Sequence, residues 1–161
     1  MLKVLIADDE EKICQLIIKL INWEEMGLKI AATASNGIEA LEQAKICKPE
    51  ILITDIRMPG IDGMELIRKV KEKLPDTEII IISGYRHFEY AQTAIRYGVR
   101  NYLLKPIKKE ELRDTLQKIA DIYREKNEQL NFEERVRLAL KNDAGKLRTS
   151  FISRMIYGDR E

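Results

Sequence analysis

The chain has one histidine, two cysteines and almost no net charge. Each scarcity removes a class of function. His87 stands alone, so no histidine relay and no histidine-based metal centre can be built. It reads as a surface or helix-packing residue. Cys14 and Cys47 lie in helical patterns, with no CxxC pair and no neighbouring histidine. They read as buried thiols in a reducing compartment, not as zinc ligands or a disulfide framework. Lys and Arg number 28 against 27 Asp and Glu, a formal charge of +1. That balance offers no global attraction to nucleic acid or an anionic membrane. No apolar run approaches the ~18 residues that a membrane span requires. The first apolar run, Leu2–Ala7, is too short for a signal peptide and meets acids at once. A cytoplasmic protein without membrane contact is expected.

What is present is a core. The 161 residues are 45% hydrophobic, enough for one ordinary domain plus an extension. Short apolar runs alternate with helical patterns. Leu2-Lys3-Val4-Leu5-Ile6-Ala7 reads as a buried strand stopped by Asp8-Asp9-Glu10. Ile13, Leu16, Ile17 and Leu20 then mark one face of a helix over 12–21. Residues 28–35 form a second strand. Asn36 can cap the helix that follows, which ends before Pro49. Ile51-Leu52-Ile53-Thr54 is a third strand ending at Asp55, and Leu66, Ile67 and Val70 carry the next helix. Glu78-Ile79-Ile80-Ile81-Ile82 is a fourth strand ending at Ser83-Gly84. A helix through Ala91, Ala94 and Ile95 stops at Gly98, a C-cap residue. Asn101-Tyr102-Leu103-Leu104 is a fifth strand, ending at Lys105-Pro106, and the last helix starts near Lys108. Five strand–helix units predict an α/β fold, with a parallel sheet covered on both faces.

Four of the strands end in a polar residue: Asp8-Asp9, Asp55, Ser83 and Lys105. In an open parallel sheet the carboxyl ends of the strands share one edge, and ligands bind there. Carboxylates held together repel one another unless a cation joins them. Hard oxygen ligands with open positions suit Mg²⁺. A carboxylate can attack phosphorus to form an acyl phosphate. A lysine and a metal ion can then neutralise the transferring group. The set therefore reads as an aspartate phosphorylation centre.

These residues resemble those of bacterial response-regulator receiver domains, over about residues 1–125. Val4-Leu5-Ile6-Ala7-Asp8-Asp9-Glu10 is similar to the family's first strand and acidic pair. Asp55-Ile56-Arg57-Met58-Pro59-Gly60-Ile61-Asp62-Gly63 resembles its phosphoacceptor segment. Ser83-Gly84 and Leu104-Lys105-Pro106 resemble its hydroxyl and lysine segments. The resemblance implies a flavodoxin-like five-stranded sheet of order 2-1-3-4-5. It implies that Asp55 accepts the phosphoryl group and that Ser83 and Lys105 bind it. Asp8, Asp9, Asp55 and the carbonyl of Arg57 would hold Mg²⁺. The Lys105-Pro106 peptide would be cis. Ser83 and Tyr102 would form the switch, with Tyr102 turning toward Ser83 on phosphorylation and reshaping the face of the fourth helix, fifth strand and fifth helix. Bulky Arg57 and Tyr85, two positions after the acceptor and the hydroxyl, imply a long-lived phosphoform. A sensor histidine kinase is the implied partner.

Two other classes compete. An aspartate-nucleophile phosphatase or phosphotransferase of similar fold would want an acid two positions after the nucleophile, where Arg57 stands. A flavin carrier would want a phosphate-cradling loop after the first strand, where Asp8-Asp9-Glu10 would repel the phosphate. The expected protein is therefore a switch and not an enzyme, apart from its own phosphorylation and dephosphorylation.

Residues 126–161 are expected to form a helical extension and linker. Leu112, Leu116, Ile119, Tyr123 and Leu130 recur at three-to-four spacing, which suits either packing on the domain or a coiled coil with a second copy. Arg96, Arg100, Lys108 and Lys109 give either a solvated surface or charge pairing with Glu110 and Asp114 across a homodimer. The basic stretch 146–158 and residues 23–27 resemble the subgroup that ends in an AraC-type DNA-binding domain. DNA binding would belong to that domain, absent from these residues.

Overall fold

The structure is a computed structural model and describes residues 1–84 and 88–142. Among the described residues five strands and five helices alternate. They are β1 (Leu2–Ala7), α1 (Glu11–Leu20), β2 (Leu28–Ala34), α2 (Gly37–Cys47), β3 (Ile51–Thr54), α3 (Gly63–Lys73), β4 (Glu78–Ser83), α4 (Phe88–Arg96), β5 (Asn101–Leu104) and α5 (Lys109–Asn142). The sheet is wholly parallel in the order β2-β1-β3-β4-β5, as expected.

The central strands are near-continuous apolar runs because both of their faces are covered. Every residue of β3 and β4 is buried. On one face Leu5, Ala7, Leu52, Ile79 and Ile81 join Ala40, Ala44, Leu66, Ile67, Val70 and Ala94 from α2, α3 and α4 in one core cluster. Strand alternation turns Val4, Ile6, Ile53, Ile80 and Ile82 to the opposite face. The buried residues of α1 and of the first turns of α5 — Cys14, Ile17, Leu112, Leu116 and Ile119 — complete that side. Each fully buried aliphatic side chain contributes about 1.5–3 kcal/mol. At the sheet's edge β2 alternates buried and exposed positions, with a register shift that leaves Ala31 unpaired as a bulge.

Local chemistry sets the boundaries. Asn36 caps α2 by accepting from the Glu39 amide at 2.8 Å, and Glu39 reaches back to the Ser35 hydroxyl at 3.0 Å. Asp62 caps α3 by accepting from the Glu65 amide at 2.9 Å. Gly98 ends α4 at φ +85°, a conformation that suits glycine. Trp23 is buried and donates its indole N–H to the Ile18 carbonyl, which closes α1 onto the turn before β2. The Lys105-Pro106 peptide is cis.

The chain divides into two compact units, Met1–Ala120 and Asp121–Glu161. The expected division after residue 125 and this boundary fall within the same helix, α5. Leu112, Leu116 and Ile119 are buried in the first unit, so at these three positions the helical spacing serves the domain core and not a coiled-coil seam. In the second unit, Leu130 and Leu138 are exposed. Of the cysteines, Cys14 is buried but Cys47, the last residue of α2, is only half-buried, contrary to the expected pair of core thiols. No helix among the described residues is long and apolar enough to cross a membrane. His87, Tyr85 and the basic stretch 146–158 lie outside the described residues.

Candidate functional site

The sheet ladder places the site. Its hydrogen bonds continue one residue past the strand ends. The Asp8 amide donates to Ala34, the Asp55 amide to Ala7 and the Lys105 amide to Ser83, at 3.1, 3.1 and 2.8 Å. Strand β1 therefore presents Asp8, β3 presents Asp55, and β4 and β5 present Ser83 and Lys105 along one carboxyl edge.

Their side chains meet. Lys105 Nζ lies 3.2 Å from Asp8 Oδ2 and 3.0 Å from Asp55 Oδ2. The other Asp8 oxygen accepts from the Glu10 amide at 2.9 Å, and the other Asp55 oxygen from the Ile56 amide at 2.7 Å. Asp8, Asp55 and Ser83 are buried, whereas Asp9 is exposed at the rim. Asp8, Asp9 and Asp55 each bring a carboxylate oxygen within 4.8 Å of the others, a set that can hold a metal ion. Beside Asp9 opens a hollow lined by Arg57, Met58, Pro59 and Asp62.

The electrostatics follow from crowding. Burial pushes the Asp8 carboxyl above its ordinary value of 3.8, and the charge of Asp55 adds to that push. The Glu10 amide and Lys105 offset only part of it. Desolvation pulls Lys105 down, but its bond to Asp55 and the charges of Asp55 and Asp8 outweigh that and raise it above an ordinary lysine. Lys105 is thus firmly charged, while the carboxylates around it are left short of positive charge. One ammonium, paired with two of three clustered carboxylates, leaves an excess of negative charge that a divalent cation would balance.

Ser83 and Tyr102 are hydrogen-bonded through their side chains, and burial raises the Tyr102 hydroxyl above its ordinary value of 10.0. Tyr102 is half-buried against the core cluster. The two residues expected to form the switch thus lie side by side. Among the four basic residues of the α4–α5 surface, Arg100 pairs within the domain with the buried Glu78 at 2.7 Å.

Three further residues make contacts at the site that the sequence did not show. Gly63 packs so closely that a side chain there would collide with the Asp55 carbonyl, and its amide donates to Ile56. Gly37 packs equally closely on Ile61. Cys14 sits directly beneath the site, with its thiol against the Asp8 carbonyl at 3.8 Å. The glycines stood in the sequence without a pattern to name the backbone they approach. The thiol carried no signal, because helix α1 merely happens to turn it under β1. Burial and the Asp8 charge hold the Cys14 thiol protonated and unreactive.

Residues 4–117 match the model of the response regulator receiver domain. The chain belongs to that family. Receiver domains among solved structures share its fold: that of AraT, a response regulator from Geobacillus stearothermophilus, is 41% identical with a TM-score of 0.75, covering 78% of this chain and 98% of that one. The two component transcriptional regulator AraC from Clostridium phytofermentans is 36% identical with a TM-score of 0.70, over 75% and 94% of the two chains. The transcriptional regulatory protein YesN of Bacillus subtilis is 40% identical, over 83% of this chain and 38% of its own length. The chain spans less than half the length of the curated relatives it matches. Relatives of this receiver domain are named as transcriptional regulators.

Proposed function

We propose that this receiver domain is switched by phosphorylation of Asp55, with a sensor histidine kinase as donor. The observation that carries the reading is the Lys105 ammonium lying between Asp8 and Asp55 at 3.2 and 3.0 Å, at the mouth of a three-carboxylate cluster. Asp55 presents Oδ2 toward Lys105, while the Ile56 amide holds Oδ1. A carboxylate oxygen of Asp55 attacks phosphorus, the donor's P–N or P–O bond breaks, and the leaving group departs with its electron pair. The product is an acyl phosphate beside a charged lysine and within reach of the Ser83 hydroxyl. Catalysis here is positioning and charge, with no proton relay needed from the missing second histidine.

Asp8, Asp9, Asp55 and the Arg57 carbonyl fit Mg²⁺, which prefers a few carboxylates and leaves room for phosphate oxygens. When bound it supplies positive charge to the transferring group. The exposed rim position of Asp9 and the open hollow beside it leave the approach free for a donor.

The output reading rests on Tyr102. Its bond to Ser83 couples a phosphoryl ligand to β5, the edge strand between α4 and α5. We infer that phosphorylation draws the Ser83 hydroxyl inward, turns Tyr102 after it and promotes homodimerisation on the α4–β5–α5 face, where Ile95 is exposed. Residues 126–161 would lead to a DNA-binding output domain in a cytoplasmic transcription factor, in line with the names and lengths of the relatives. Tyr102→Ala is expected to accept phosphate to the wild-type extent yet show no phosphorylation-dependent dimer. Sedimentation of the phosphorylated variant as a dimer would reject the Tyr102 coupling.

The reading as a whole is tested with acetyl phosphate. Wild-type protein incubated with it and Mg²⁺ should gain the mass of one phosphoryl group. The gain should be labile to hydroxylamine and absent in EDTA. A wild-type mass that never changes would refute it.

A further inference from the structure

The first turn of α2 lies against the loop that follows the phosphoacceptor. The Gly37 amide donates to the Pro59 carbonyl at 3.4 Å. Gly37 is buried, and a Cβ there would run into the Ile61 carbonyl and side chain. One residue on, the Ile38 side chain lies 3.1 Å from where a Cβ on Gly60 would stand. Gly60 itself sits at φ +86°, where the loop turns sharply. Three consecutive loop residues, Pro59, Gly60 and Ile61, are thus held by two residues of one helix start.

That helix start is stiff. Asn36 caps it through the Glu39 amide at 2.8 Å, and Glu39 accepts from both the amide and the hydroxyl of Ser35 at 3.3 and 3.0 Å. At the loop's far end the Gly63 amide donates to Ile56, and Gly63 abuts the Asp55 carbonyl. Residues 57–62 are therefore clamped from both sides. Arg57, whose carbonyl is proposed to hold Mg²⁺, lies in the stretch between these clamps. Closeness of this order is open only to a residue without a side chain. The helix amide in turn finds in Pro59 an acceptor for one of its otherwise unpaired N–H groups.

We propose that Gly37, with Ile38 beside it, is a positioning residue of the phosphorylation site: it lets α2 seat the 57–62 loop so that Asp55 and the Arg57 carbonyl face the cation together. The inference rests on the metal-binding reading above, but the clamp itself is a property of the metal-free chain.

Two measurements on the full chain separate the two claims. The first is amide hydrogen exchange at Ile56 and Gly63 in metal-free protein. The second is Mg²⁺ affinity by calorimetry. Gly37→Ala should speed exchange at these amides and weaken Mg²⁺ binding, each about tenfold, a change equivalent to ~1.4 kcal/mol. Gly27→Ala is the control. It strains a left-handed turn at φ +71° with nothing within 4 Å of the added methyl. It should lower stability globally and leave both loop readouts at wild-type values. Ile38→Ala trims a side chain that is 53% exposed, so it should fold even if Gly37→Ala does not, and it should speed exchange severalfold. Wild-type exchange in folded Gly37→Ala, or in Ile38→Ala if the first does not fold, would overturn the proposal. So would an equal effect in Gly27→Ala. A wild-type chain that binds no Mg²⁺ would instead sink the metal reading, while the exchange data would still decide the clamp.

Discussion

Asp55→Asn is expected to eliminate phosphorylation by acetyl phosphate altogether, with no gain in intact mass after exposures that saturate the wild type. An amide oxygen lacks the charge and the lone-pair basicity to displace a leaving group from phosphorus. The substitution is also mild on the fold. Asn keeps an oxygen to accept from the Ile56 amide, and Lys105 retains Asp8 at 3.2 Å. Removing one of three clustered carboxylates further relieves repulsion. The variant should therefore unfold at a denaturant concentration no lower than that of the wild type in metal-free buffer. Full folding with no phosphoryl gain would assign the acceptor. A residual gain of wild-type size would place the chemistry on another residue and strip Asp55 of its role as acceptor.

The second large effect is expected at Lys105. Lys105→Met keeps the length of the side chain and removes its charge. Asp8 and Asp55 then face each other across a buried edge with no cation between them. Breaking a buried pair by deleting one partner commonly costs about 3–5 kcal/mol. Lys105 is 20% exposed, so solvent lowers this to about 1–3 kcal/mol of folding stability at neutral pH. The pH dependence has a definite sign. Asp8 already holds its proton more tightly in the folded chain than its ordinary value of 3.8 implies, and losing the neighbouring ammonium strengthens that grip. The folded state then binds more protons than the unfolded one, so stability falls as pH rises above the ordinary carboxylate range. The deficit of Lys105→Met should accordingly shrink in mildly acid buffer, and Mg²⁺ should restore part of it at neutral pH. Urea unfolding at two pH values, with and without Mg²⁺, checks all three. A pH-independent deficit would mean that the stem of Lys105, and not its charge, holds the site together.

Most of the site was legible in the chain because its residues stand at strand ends. A buried parallel strand announces itself as a short β-branched run, and its end is marked by the first polar residue. Asp8, Asp55, Ser83 and Lys105 all occupy that position. The sheet order, too, followed once the family resemblance was drawn from the segments around them. Less could be read where side-chain spacing serves two ends. Leu112, Leu116 and Ile119 suited a coiled coil as well as a core, and burial decided for the core at these positions. Arg100 offered itself for a dimer, yet Glu78, 22 positions earlier, pairs with it because β4 and β5 are neighbours. Gly37 was silent, and Gly63 showed only its place in the phosphoacceptor segment, since what each approaches is backbone brought to it by the fold.

Hydrophobic periodicity and the order of strand-ending residues, by themselves, determined that this protein has an α/β fold with acids, a hydroxyl and a lysine gathered on one edge. Periodicity is local, and the parallel sheet converts local order into a shared edge. Only the tertiary structure decided the contacts: one lysine between two carboxylates, Tyr102 beside Ser83, and a helix start seated on the phosphoacceptor loop. Those depend on close packing between segments far apart in the chain, where a single methyl group settles whether two backbones can meet.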